Sequence, residues 1–167
     1  VAGQPAASTL LDAGQGSVTL AGCGPVVVNA GQSGYFRTLY APAQVAALRG
    51  AYAKLPTIDQ IGVLQDAWAL GMTGRQAASD WLDFAAATPA DAAPELWGEI
   101  ASGLESLDTY YAGDAARRAK FLAFAVKLLA PVFARVGWEA KAGERDPVTI
   151  LRTDLIGVLG TLGDPAV

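Results

Sequence analysis

Histidine is missing from all 167 residues, and that absence excludes more chemistry than any motif in the chain suggests. No Ser-His-Asp or Cys-His arrangement can be assembled, because each depends on an imidazole base. A helical H-E-x-x-H zinc site is excluded in the same way, since two of its ligands are histidines. Cysteine is nearly as scarce. Cys23 stands alone, so there is neither an intrachain disulfide nor a thiolate cluster for a structural metal. With no histidine to hold it as thiolate, it reads as a small buried side chain near a strand.

Charge is also sparse. Charged residues make up 17% of the chain and the net charge is -4; a nucleic-acid surface needs clustered Lys and Arg, so no nucleic-acid partner is expected. No run approaches the roughly 20 uninterrupted apolar residues of a membrane span, and no membrane partner is expected. The most apolar stretch, 121–136, is broken by Lys127, Pro131 and Arg135. The opening Val-Ala-Gly-Gln-Pro lacks the basic start and apolar run of a signal peptide, and reads as a point inside a longer chain.

What is present, with 52% hydrophobic residues, is enough to bury a core and is written in two periods. Short β-type runs at 17–21, 25–29 and 35–40 are separated by Gly22-Cys23-Gly24 and by residues 30–34, the punctuation of strands and turns. Three short strands make no sandwich alone, so residues 1–42 are expected to be the β-strand remnant of a β-sandwich domain. Residues 43–167 are expected to form a C-terminal α-helical domain, with helices near 43–54, 57–72, 75–87, 92–111, 114–136 and 147–162. The predicted fold is mainly α: antiparallel helical hairpins stacked as an α-solenoid of the HEAT or armadillo kind, preceded by the short β segment.

Two helices are marked most clearly. Thr57 with Gln60 has capping-box spacing, and Ile58, Ile61, Leu64, Trp68 and Met72 recur every three or four residues as a core stripe. In the fifth helix Asp114 suits the N-cap, and Leu122, Val126, Leu129, Phe133 and Val136 form the stripe. Pro131 predicts a bend. Gly137 suits a left-handed residue at the helix end, with Trp138 packing back on the last turn.

Catalytic patterns are few. Tyr35, Arg37 and Leu39 alternate with Phe36, Thr38 and Tyr40 as the two faces of a covered strand, and Arg37 awaits a carboxylate or backbone partner. The acid pairs Asp80 with Asp83 and Glu139 with Glu144 have the look of solvated faces. Gly31-Gln32-Ser33-Gly34 lacks the spacing and the following helix of a phosphate loop. Arg117 and Arg118 fall in the first turn of the fifth helix, where the helix dipole disfavours positive charge. They either pair with Asp108 or Asp114, or form an anion site that receives a peptide carboxylate.

At Asn29 the sequence begins to resemble a known pattern. Asn29-Ala-Gly31-Gln-Ser-Gly34-Tyr35-Phe36-Arg37-Thr-Leu-Tyr40 is similar to the Asn-x-Gly-x-x-Gly-Tyr-Tyr-Arg-Val-x-Tyr segment of the zinc aminopeptidases related to alanyl aminopeptidase and the endoplasmic-reticulum aminopeptidases. The stretch from Asp59 to Leu70 resembles that family's Asp-Arg-x-x-Leu-Leu-x-Asp-x-x-x-Leu helix, with Gln60 in place of the usual arginine. Gly74, Trp97, the Leu129 to Trp138 stretch and Leu151-Arg152 fall in the family's order, so the similarity covers residues 25 to about 160.

The resemblance implies a helical domain that follows a small β-sandwich, caps the active-site cavity and limits peptide access. Zinc, its ligands, the general base and the transition-state tyrosine would lie in an upstream thermolysin-like domain of the same polypeptide, leaving this chain without a cofactor or catalytic residue of its own. The parent enzyme would remove N-terminal residues from peptides, and the substrate contacts expected here are Arg117 and Arg118. Two other readings stand beside it: a freestanding helical scaffold that binds a protein partner through a concave face, and an enzyme working through carboxylates, which has no recognisable nucleophile setting. The alanine-rich, lysine-poor composition looks bacterial, with cytoplasm and periplasm both open.

Overall fold

The computed structural model describes residues 1–12 and 14–167. Among them lie six α-helices: α1 (Pro42–Ala51), α2 (Thr57–Met72), α3 (Ser79–Ala86), α4 (Pro94–Asp108), α5 (Ala115–Val136) and α6 (Asp146–Leu162), with 3-10 turns at Ala30–Gln32, Tyr52–Lys54 and Thr109–Tyr111. The chain divides into two compact units, Val1–Thr88 and Pro89–Val167.

The mainly helical expectation holds, and the predicted helices fall on the observed ones. The expected β segment does not form: no strand occurs among the described residues, and 17–21, 25–29 and 35–40 are irregular. A strand needs a neighbouring strand to take its N–H and C=O groups. In 28–38 several of those groups bond elsewhere, to side chains of Tyr40, Asp59, Asp66 and Asn29. Cys23 also departs from expectation, being exposed in a turn, because no sheet is present to cover it.

In the first unit α3 packs against both α1 and α2. Leu48, Tyr52, Leu64, Phe84 and Ala85 are fully buried there, and the rings of Tyr52 and Phe84 sit 5.0 Å apart. The expected capping box is replaced by a tertiary bond. Pro56 occupies the N-cap, and the buried Gln60 turns inward: its Nε2 donates to the Tyr52 carbonyl at 2.9 Å, while the Tyr52 hydroxyl donates to the Gln60 carbonyl at 2.8 Å. Tyr52 therefore crosses the core with its polar end satisfied, and burial pushes its phenol pKa up.

The buried stripe of α2 is also rotated from the predicted one. Ile58 and Met72 are exposed, while Asp59, Gln60, Val63, Leu64, Asp66, Ala67 and Leu70 are buried. Leu64 is buried as expected and Ile61 and Trp68 are half-buried; the stripe is turned because this helix also buries carboxylates, and a polar side chain with a partner can occupy a buried face.

In the second unit α6 packs against both α4 and α5. The buried face of α5 is Phe121, Ala125, Leu129, Val132, Phe133 and Val136, so Leu122 and Val126 of the predicted stripe lie at its edge, half-buried. Asp114 caps α5 as expected, its Oδ1 accepting the Arg117 N–H at 2.9 Å. Pro131 lies within the continuous helix. Gly137 closes it with φ 77° and ψ 174°, a positive φ as anticipated but with an extended ψ, outside the left-handed helical region and open essentially to glycine alone. Trp138 then meets Phe133 edge-on at 5.1 Å.

Candidate functional site

Arg117 and Arg118 are adjacent on α5 but do different things. Arg118 forms a two-pronged pair with Asp108, at 2.7 Å from Nε and 2.6 Å from Nη2. Those hydrogen bonds hold the Asp108 carboxyl below its ordinary pKa and raise that of the guanidinium. Arg117 keeps its Nε 3.9 Å from Asp114 and leaves 77% of its side chain exposed. A fork-shaped pair on one arginine offsets the unfavourable helix-dipole position, and the other side chain extends into solvent.

Of the carboxylates weighed as acid pairs, one in each pair is engaged, Asp83 and Glu144. Asp83 pairs with Arg49. Glu144 is far from solvated: its side chain is 9% exposed, and Arg152, itself 6% exposed, donates to it from Nη2 at 2.6 Å. Arg152 Nε also donates to the Gly137 carbonyl at 2.9 Å, so a cation sits at the carboxyl end of α5 where the helix dipole favours it. The bond from Arg152 lowers the Glu144 pKa. Trp97 is buried in the first turn of α4, its indole N–H donating to the Pro89 carbonyl at 3.0 Å.

A second constellation lies on α2. Asp59 Oδ1 accepts the Gly31 N–H at 2.6 Å. Asp66 accepts the Thr38 N–H at 3.0 Å on Oδ2 and Arg37 Nη1 at 3.2 Å on Oδ1, giving Arg37 the carboxylate partner its pattern called for. In the sequence both aspartates stand out only as part of a helix pattern. The signal that could have found them is spacing: Asp59, Gly62 and Asp66 follow one another at three and four residues, on one helical stripe. Beside them an open groove of about 820 Å³ is lined by Leu39, Tyr40, Pro42, Val45, Arg49, Arg75 and Asp80, among others. Tyr35 and Phe36, expected to pack, are exposed, whereas Tyr40 is buried; burial raises its pKa.

The donor set does not suit zinc. The chain has no histidine and one exposed cysteine, and no three His, Cys, Asp or Glu side chains gather as ligands among the described residues. No described helix is long and apolar enough to cross a membrane. Asp59, Asp66, Asp83, Asp108 and Glu144 are each bonded to a partner.

"Aminopeptidase M1-A" of Oryza sativa subsp. japonica is 29% identical over 144 residues, which are 84% of this chain and 16% of that protein. "Puromycin-sensitive aminopeptidase" of Caenorhabditis elegans is 28% identical over 152 residues, 86% of this chain and 16% of that protein. "Aminopeptidase M1-C" of Oryza sativa subsp. japonica is 31% identical over 143 residues, again 83% against 16%. The chain thus spans 16% of the length of each of these relatives. A family model described as "ERAP1-like C-terminal domain" matches residues 25–167, and on that match the chain belongs to the family of C-terminal domains carried by M1 aminopeptidases.

Proposed function

We propose that this chain is the non-catalytic helical domain of a zinc-dependent aminopeptidase that removes N-terminal residues from peptides, and that it caps the active-site cavity and limits which peptides enter. The observation that carries this reading is the family match over 25–167 in a chain with no histidine. Zinc would be supplied by the upstream catalytic domain of the same polypeptide, where it would polarise the scissile carbonyl and activate water. The helical part of the domain is taken to begin at residue 42, with 43–167 as stacked hairpins of an α-solenoid and residues 28–40 leading into it along α2. The start of α1 at Pro42 supports that boundary.

Within this reading Arg117 and Arg118 meet the peptide. Arg117, exposed and beside an arginine already oriented by Asp108, offers a guanidinium to a substrate carboxylate. The experiment uses the full-length enzyme with Arg117→Ala and Arg118→Ala combined. Turnover of an aminoacyl amide should hold within about twofold, while kcat/KM for a ten-residue peptide falls about tenfold, the effect of one lost charge-assisted bond. Equal losses on short and long substrates, or none on either, would sink the assignment.

A further inference from the structure

Residues 28–40 have no regular structure beyond one 3-10 turn, yet side chains tie them down at several points. The segment is first closed on itself. Asn29 adopts φ 62°, a left-handed conformation that asparagine tolerates better than most residues. Its Oδ1 accepts the Gly34 N–H at 2.7 Å and its Nδ2 donates to the Gly34 carbonyl at 2.8 Å. At the outer end the Tyr40 hydroxyl accepts the Val28 N–H at 2.9 Å.

This preformed loop is then held on α2 along a single stripe. Asp59 takes the Gly31 N–H, and Asp66 takes the Thr38 N–H and the Arg37 guanidinium. Between them Gly62 provides the seat, since a β-carbon at that position would collide with the Gln32 side-chain amide. The three positions, separated by three and four residues, are one helical face. Just beyond the last attachment, Leu39 to Pro42 form a wall of the 820 Å³ groove, whose other sides come from α1 and from the turn before α3.

We propose that residues 28–40 are a strap latched to α2 by Asp59 and Asp66, and that this latch sets whether the groove wall at Leu39–Pro42 is closed. The loop's internal bonds do not involve the latch, so releasing Asp66 frees the half of the strap next to the wall, residues 35–40, while Asp59 still holds Gly31 and α2 keeps its own helical bonds. Asp66 is the positioning residue that decides it, because its two oxygens hold the strap immediately before the wall. Its side chain is 12% exposed, against 53% for Arg37, so the Thr38 N–H bond carries more of the latch than the partly screened ion pair.

The test compares the 167-residue chain with Asp66→Ala and Asp66→Asn by hydrogen exchange, with circular dichroism as the check on helix content. Asp66→Ala should accelerate exchange across 35–40 about tenfold, as expected for loss of a charge-assisted anchor, while 29–34 and 57–72 stay within about twofold. Asp66→Asn keeps an acceptor for Thr38 and should fall between. Opening of the wall should raise binding of the apolar dye ANS in the same order. If Asp66→Ala does not fold, Asp66→Asn together with Arg37→Gln carries the same comparison. Free exchange of 29–40 in the unaltered chain, equal acceleration of 57–72, or ANS binding that ignores the substitutions would each overturn the proposal.

Discussion

The buried face of α2 and those of α4, α5 and α6 solve different problems. On α4 and α5 every buried residue is apolar or alanine, and on α6 Arg152 is the one exception. On α2 the buried set includes Asp59, Gln60 and Asp66. The difference lies in what covers each helix. A helix that packs on helices meets neighbours whose backbone groups already bond to one another, so only apolar side chains are wanted. Irregular chain lies over part of α2 and brings unpaired N–H groups, which must find acceptors once covered. The two aspartates on α2 are thus a record of the backbone laid across it.

The comparison breaks most visibly if the apolar side is emptied. Trp97→Ala removes a fully buried indole from α4 and should cost about 3–5 kcal/mol, read from urea unfolding of the whole chain. A loss under about 1 kcal/mol would mean that the second unit does not depend on a packed apolar core.

On the polar side the expected effect is smaller. Gln60→Leu keeps the volume but removes the Nε2 bond to the Tyr52 carbonyl, which still accepts the Leu55 N–H at 3.0 Å. The net loss should therefore be about 1 kcal/mol, measured in the same way. A gain in stability would show that α2 would be better served by an apolar face.

These contrasts explain what could be seen in the sequence. Helix positions were legible because Pro, Gly and Asp punctuate long apolar periods, and Asp114 and Trp138 did what their places predicted. The covered side of α2 was not legible, since a periodicity count treats Asp59 and Asp66 as solvent-facing. The β reading failed for a related reason: 25–29 and 35–40 have strand composition, but pairing depends on partners that local sequence does not reveal. Glu144 looked like a solvated acid because Arg152, its partner, is separated from it by a helix start.

Gly62→Ala gives the smallest and sharpest effect. Alanine in mid-helix is favoured over glycine by about 0.8–1 kcal/mol, but here its methyl would displace the Gln32 amide. The flexible amide can move, so the gain should shrink to a few tenths of a kcal/mol, and in a Gln32→Ala background it should return to about 0.8 kcal/mol. Equal gains in both backgrounds, in thermal melts, would show that Gln32 does not use the seat.

The Glu144–Arg152 pair has a consequence for anyone who wishes to alter this chain. Between α5 and α6 the connector looks uniformly loose by composition, yet its two halves differ. Residues 139–143 are exposed, and a reporter or affinity tag spliced among them would lengthen a surface loop at little entropic cost. One residue further on, the same insertion would meet Glu144, through which Arg152 and Thr149 tie the loop to the start of α6. A graft there would separate the acid from its guanidinium and leave Arg152 with only the carbonyls of Val136 and Gly137 as partners. The tolerant site and the forbidden one lie within a single turn of chain.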